Sequence, residues 1–202
     1  MRTRTTATAL AAIAITAGFT LSACSSAPDA AEPTATEVQT TESPALPADV
    51  NEADVTFTSG MIAHHEQAIE MSDIVLAKTG VDERVVALAE EIKAAQGPEI
   101  EQLRDWLAEW GVEEAAAAGE HGSHGSGGMI SEEGISALQA ADGAAASKLF
   151  LEQMIEHHEG ALVMAEPAVE GGENADVVAL AQSVIDAQTA EIDHMRELLA
   201  TM

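Results

Sequence analysis

Basic residues are scarce in this 202-residue chain: eight Lys and Arg stand against 35 Asp and Glu, a formal charge of −27. Neutralising phosphates takes Lys and Arg, so a chain this acidic is not built to bind nucleic acid. An anionic membrane surface is disfavoured for the same reason. The acidity keeps a domain soluble and weakly concentrates cations, without naming one. Cysteine is limited to Cys24, which excludes an intramolecular disulfide. Strict polar–apolar alternation and dense β-branching are missing, which argues against strands. Beyond the first two dozen residues, no run is apolar enough to span a membrane as a helix.

What stands at the N-terminus has the form of an export signal. Arg2 and Arg4 precede an apolar stretch from Ala9 to Leu21, which ends in Leu21-Ser22-Ala23-Cys24. Small residues just ahead of a cysteine form a lipoprotein cleavage site, so residues 1–23 are expected to be removed and Cys24 to be lipidated. The protein would then be exported and held at the cell membrane by lipid alone, facing outside the cytoplasm. Residues 24–50, rich in Ala, Pro, Thr, Ser and Glu, read as a disordered tether. Residues 51–202 are one domain's worth of chain.

An internal repeat organises that domain. FTSGMIAHHEQAIEMS (57–72) and FLEQMIEHHEGALVMA (150–165) agree at eight of sixteen positions, at an offset of 93. VVALAEEIKAAQGPEIEQLRDWL (85–107) and VVALAQSVIDAQTAEIDHMRELL (177–199) agree at eleven of 23, at an offset of 92. A duplication with a one-residue slip accounts for both. Each copy reads as a helical hairpin: repeat 1 over 51–111, a linker over 112–143, repeat 2 over 144–202. Asn51 to Asp54 supply caps for a first helix that Gly80 is placed to end. A second helix is expected from near Asp82 to Gly111, and a third from about Ala144 to Glu170. The fourth starts at Asn174 or Asp176. Pro98 corresponds to Ala190 in the other copy, so it reads as a kink in a continuous helix, and Pro167 should bend the third. Ser131 begins a short helix reaching Ala141, while His121 and His124 in the linker read as solvated.

At about 100° per residue, Phe57, Met61, His64, Ala68 and Met71 share one stripe, with His65 on its shoulder. Phe150, Met154, His157, Ala161 and Met164 repeat it, with His158 on the shoulder. Glu66, Glu70 and Asp73 take the solvated face. On the partner helices Gln96 and Glu99, and likewise Gln188 and Glu191, interrupt an otherwise apolar face, and a buried carboxylate is costly without a partner. In an antiparallel hairpin, residues equidistant from the turn lie level. His64/His65 and Gln96/Glu99 are equidistant from residue 81, and His157/His158 and Gln188/Glu191 from residues 173–174. Imidazoles and carboxylate therefore share a layer about 24 Å from each turn. Such a layer serves either as a buried polar network or as a metal site.

The motifs MIAHHEQAIEM and MIEHHEGALVMA, with the trailing Gln-x-x-Glu-Ile segments, resemble domain-of-unknown-function family 305, a group of secreted bacterial proteins placed with ferritin-like folds. The resemblance covers essentially all of residues 50–202. It implies an all-α, ferritin-like four-helix bundle built from two repeated helical hairpins, and for some members an association with copper. The family pattern has an Asp three positions before the first Phe; Asp54 matches it, and Ser147 stands there in the second copy. Ferritin-like di-metal proteins use Glu-x-x-His on two helices. Glu191-x-x-His194 has that form, whereas Glu99 is followed by Gln102. His-His replaces the usual carboxylates of the other two helices, which favours a softer ion.

Three readings follow. The leading one is an exported, lipid-anchored copper-binding protein. His64, His65, His157 and His158 would be its ligands, with thioethers from Met61, Met154, Met71, Met164 and Met195, and another transition metal as the alternative cargo. Gln96, Glu99, Gln188, Glu191, His194 and Asp54 would orient those ligands or replace them. The second is a ferritin-like di-metal redox enzyme. The third is a non-catalytic interaction module whose polar layer is structural. Nucleophile triads and phosphate loops are absent from the sequence.

Overall fold

A computed structural model of the chain describes residues 45–114 and 127–202. The export signal, Cys24, most of the expected tether and the linker histidines His121 and His124 lie outside the described residues. Five helices are described: α1 (Glu52–Leu76), α2 (Glu83–Trp110), the short α3 (Glu132–Ala140), α4 (Gly143–Gly171) and α5 (Ala175–Leu199). The described residues contain no strand, and the fold is an all-α bundle of two hairpins, α1–α2 and α4–α5.

The helix starts follow from their caps. Asn51 accepts from the N–H groups of Ala53 and Asp54, and Asp54 returns a bond to the Asn51 N–H, a reciprocal capping box. Asp82, Ser131, Asp142 and Asn174 cap α2, α3, α4 and α5 in turn. Both prolines stay inside helices: Pro98 within α2 and Pro167 within α4.

Two boundaries differ from expectation. α1 ends at Leu76 rather than at Gly80. Its last turn tightens, with the Lys78 N–H bonding the Val75 carbonyl three residues back, and Gly80 (φ +77°) serves the reversal itself. Val50, assigned to the tether, is buried among Phe57, Leu107 and Trp110. It precedes the N-cap, the position from which an apolar side chain staples the entry of a helix.

α1 and α4 are the central, antiparallel pair, and each holds the other hairpin's turn. Oδ2 of the fully buried Asp54 accepts from the N–H groups of Asn51 (2.9 Å), Glu173 (3.0 Å) and Asn174 (3.1 Å). Reciprocally, Ser147 Oγ accepts from the Asp82 N–H (2.9 Å) and donates to the Gly143 carbonyl (2.8 Å). The hairpins are therefore related by a pseudo-two-fold axis between α1 and α4. Asp54 precedes His64 by ten residues, about 15 Å along a helix. It is a structural clasp rather than a ligand or a support for the histidines, and Ser147 is its counterpart.

The core falls into two apolar clusters. One gathers Met71, Ile92, Phe150, Met154 and Met195; the other gathers Phe57, Met61, Ile62, Leu103, Ala161 and Val184. Along α1 they meet at His64 and His65, and along α4 at His157 and His158.

Candidate metal centre

All four histidines are buried, His64 at 1 % exposure and the others at 0 %. The rings of His64 and His157 stack across the pseudo-two-fold axis with centroids 3.7 Å apart and planes tilted by 34°. His158 lies 6.2 Å from His157, ring centre to ring centre. The two copies thus contribute to one imidazole cluster at the inter-hairpin interface. Helical periodicity levels each His pair with its own carboxylate, but it carries no information on how two hairpins dock, so this convergence was not legible.

Each carboxylate meets the shoulder histidine of its own hairpin. His65 Nε2 donates to Glu99 Oε2 at 2.7 Å, and His158 Nε2 to Glu191 Oε2 at 2.6 Å. The glutamates are not fully buried as expected: their side chains are 27 % and 25 % exposed. They reach the ring from the rim, where water relieves part of the cost of desolvating a charge. Gln96 and Gln188 are the buried members of the pairs, and Oε1 of each has no protein partner among the described residues. His194 is exposed and points away from the layer. Outside it, Glu66 pairs with Arg104 and Glu159 with Arg196, the same ion pair in both copies.

One element has no counterpart across the axis. Within the linker, Gly127 and Gly128 (φ +50° and +78°) lead into a strap that crosses α1 and α4. The Gly127 carbonyl accepts from His64 Nε2 at 3.0 Å. A Cβ on Gly160 would lie 2.0 Å from that same carbonyl oxygen, so only glycine lets the strap lie on α4. Position 67 of α1 corresponds to position 160 of α4. There Gln67 binds Ile130 twice, donating to its carbonyl (2.8 Å) and accepting from its N–H (2.7 Å). The sequence carried a trace of this: His-His-Glu-Gln in one copy against His-His-Glu-Gly in the other.

The surroundings keep the central rings neutral. Burial first, and the adjacent His65 next, push His64 down to about 3, with the Gly127 bond partly opposing. His157 is pushed down to about 2 by burial and then by His64. Polar atoms are left over. Nδ1 of all four rings, and Nε2 of His157 as well, are buried without a partner in the described residues. An unsatisfied buried polar atom costs about 1–3 kcal/mol, so a cluster of them is a standing demand for a ligand.

Methionines flank the layer on both sides. Met61 and Met154, each three residues before a central histidine, are fully buried, as are Met71 and Met195. Met164, the counterpart of Met71, is only partly buried and packs against Gly60 and Gly127. Among the described residues, no three His, Cys, Asp or Glu side chains are arranged to hold one metal ion. A site here would draw on thioether sulfur as well as imidazole.

A family model for DUF305, a domain of unknown function, matches residues 54–199. The crystal structure of a predicted secreted DUF305 protein from Streptomyces coelicolor is similar at 34 % identity and a TM-score of 0.69, covering 77 % of this chain and 94 % of that one. A DUF305 fragment from Deinococcus radiodurans is similar at 26 % identity and a TM-score of 0.66, covering 76 % and 99 %. CopM in its Cu(II)-bound form is similar at 29 % identity and a TM-score of 0.62, covering 73 % and 96 %; its Cu(I)- and Ag-bound forms match as well. No curated protein matches the chain. Among the described residues no helix is long and apolar enough to cross a membrane. The bundle, its doubled His-His motif and the extent of the match agree: the chain belongs to the DUF305 family.

Proposed function

We propose that this protein is exported, held at the membrane by a lipid on Cys24, and binds copper as Cu(I) in the layer between its hairpins, for metal buffering, delivery or resistance. His64, His65, His157 and His158 supply imidazole nitrogen. Met61 and Met154 supply thioether sulfur, with Met71, Met164 and Met195 as further donors. The observation that carries this reading is His157: a wholly buried ring with neither nitrogen partnered among the described residues, stacked on His64 beside three more such Nδ1 atoms. Neutral imidazole and thioether are soft donors and select Cu(I) over hard cations. Glu99 and Glu191 hold His65 and His158 rather than offering a carboxylate pair to iron or manganese. The likeness to copper- and silver-bound CopM supports the same chemistry.

Elemental analysis of the exported protein, followed by Cu(I) titration, tests the reading. His64→Ala with His157→Ala should remove most of the affinity in a protein still folded by circular dichroism, while His121→Ala with His124→Ala should change it little. Equal losses from the two pairs would move the site out of the bundle, and no copper uptake by the wild type would overturn it. Cys24→Ala should release the protein from the membrane; a variant retained in the detergent phase would show that the anchor lies elsewhere.

A further inference from the structure

A neutral imidazole has one N–H and one lone pair, and which nitrogen carries which is set by its partners. Three of the four rings present Nε2 to an oxygen that can only accept: His65 to the Glu99 carboxylate, His158 to the Glu191 carboxylate, and His64 to the Gly127 carbonyl. In each, Nε2 must carry the hydrogen. Nδ1 of the same three rings is buried with no hydrogen-bond partner among the described residues, so a second hydrogen there would be an orphaned N–H among other imidazoles. These three rings are therefore wired in one sense, with the hydrogen on Nε2 and the lone pair on Nδ1.

We propose that the layer takes its cargo through Nδ1: His64, His65 and His158 are fixed Nε2–H tautomers whose Nδ1 lone pairs, no three of them on one ion and with methionine sulfur beside them, bind soft monovalent cations. His157, with no hydrogen-bond partner at either nitrogen among the described residues, is the adaptable donor. This rests on the metal-binding reading above. Glu99, Glu191 and the Gly127 carbonyl are then positioning groups, which fix the tautomer and, for the carboxylates, raise the basicity of the ligating nitrogen. The two glutamates do this from the rim and need not touch the ion.

The test is long-range ¹H–¹⁵N correlation of the imidazole nitrogens in uniformly labelled protein, without metal and with silver(I), a diamagnetic probe. In the metal-free protein His64, His65 and His158 should show a protonated Nε2 and a bare Nδ1. Silver should shift Nδ1 of these rings and leave each Nε2 protonated. Silver-dependent shifts at Nε2, or Nδ1–H tautomers at His65 and His158 in the metal-free protein, would overturn the assignment while leaving metal binding intact. No ring shift at all with silver would overturn the metal-binding reading and this inference with it. Glu99→Ala should release the His65 tautomer into a mixture and weaken silver binding by about tenfold. Glu99→Gln, which still offers a carbonyl oxygen, should recover part of both. An Ala variant with weakened binding and an unchanged His65 tautomer would show that Glu99 does not position the ring.

Discussion

In the first hairpin, His64 gives its Nε2 hydrogen to the Gly127 carbonyl; in the second, His157 occupies the equivalent place and has no hydrogen-bond partner at either nitrogen among the described residues. The sequence motifs around the two residues are nearly the same. Their difference comes from the linker, in which residues 127–130 cross the bundle once and therefore serve one copy and not the other. A repeat in sequence thus need not be a repeat in chemistry: His65 and His158 are true counterparts, each with its own glutamate, whereas the central pair is divided into a fixed ring and a free one.

The largest effect separating the copies is expected at their clasps. Asp54→Ala strands three backbone N–H groups and should cost about 3 kcal/mol, whereas Ser147→Ala strands one and should cost about 1 kcal/mol. Urea unfolding of the two variants measures the difference, and equal costs would mean that the clasps are equivalent after all. The strap offers the next comparison. Gly160→Ala pushes a methyl group into the Gly127 carbonyl and should cost about 2 kcal/mol, with the His64 hydrogen bond lost as the strap lifts. Gln67→Ala, at the corresponding position of α1, removes the two bonds to Ile130 and should cost about 1 kcal/mol. A Gly160→Ala protein as stable as the wild type would show that the strap does not rest on α4.

At neutral pH the smallest difference lies in the central rings themselves. In the metal-free protein, His157→Leu removes a ring with no hydrogen-bond partner among the described residues and should be close to neutral. His64→Leu strands the Gly127 carbonyl and should cost about 1 kcal/mol. Acid amplifies the contribution of both. Each folded value lies below the ordinary 6.5, so protons bind the unfolded chain first and stability falls as pH drops from 6.5 towards about 3 for His64 and about 2 for His157. The slope is about 1.4 kcal/mol per pH unit for each ring, and either Leu variant should lose its own share. Chemical denaturation between about pH 6.5 and about pH 5, above the ordinary carboxylate range, measures it. A wild-type slope left unchanged in both variants would remove the central rings from the acid response.

Much of the bundle was legible because helices advertise themselves locally. Capping residues at Asn51, Asp82 and Asn174, the offsets of 92 and 93, and the equal distances of His and Glu from each turn are read along one chain or one hairpin. The level of His65 with Glu99 and of His158 with Glu191 follows from the rise of a helix and needs no tertiary information. The docking of α1 on α4 is a different kind of fact. It depends on which faces two hairpins present to each other, and with it went the fusion of two candidate sites into one, the clasp role of Asp54, and the rim position of Glu99 and Glu191. His194 misled for a related reason: its spacing after Glu191 fits a ligand motif, but the helix turns it to solvent. The strap was hardest to foresee, since nothing in a glycine-rich linker tells where its end will lie.

The strap touches Gln67 on one helix and Gly160 on the other, two positions that the pseudo-symmetry makes equivalent, so it lies across the axis itself. A homodimer of identical single hairpins, each with its own copy of this segment, could not be built this way. Symmetry would send two straps to the same spot, and both would be displaced. Covalent fusion of the repeats resolves that contest by leaving one connecting segment where a dimer has two. Joining the hairpins therefore does more than raise their effective concentration: it allows an odd number of covers over an even-handed site, and makes two equivalent histidines chemically distinct.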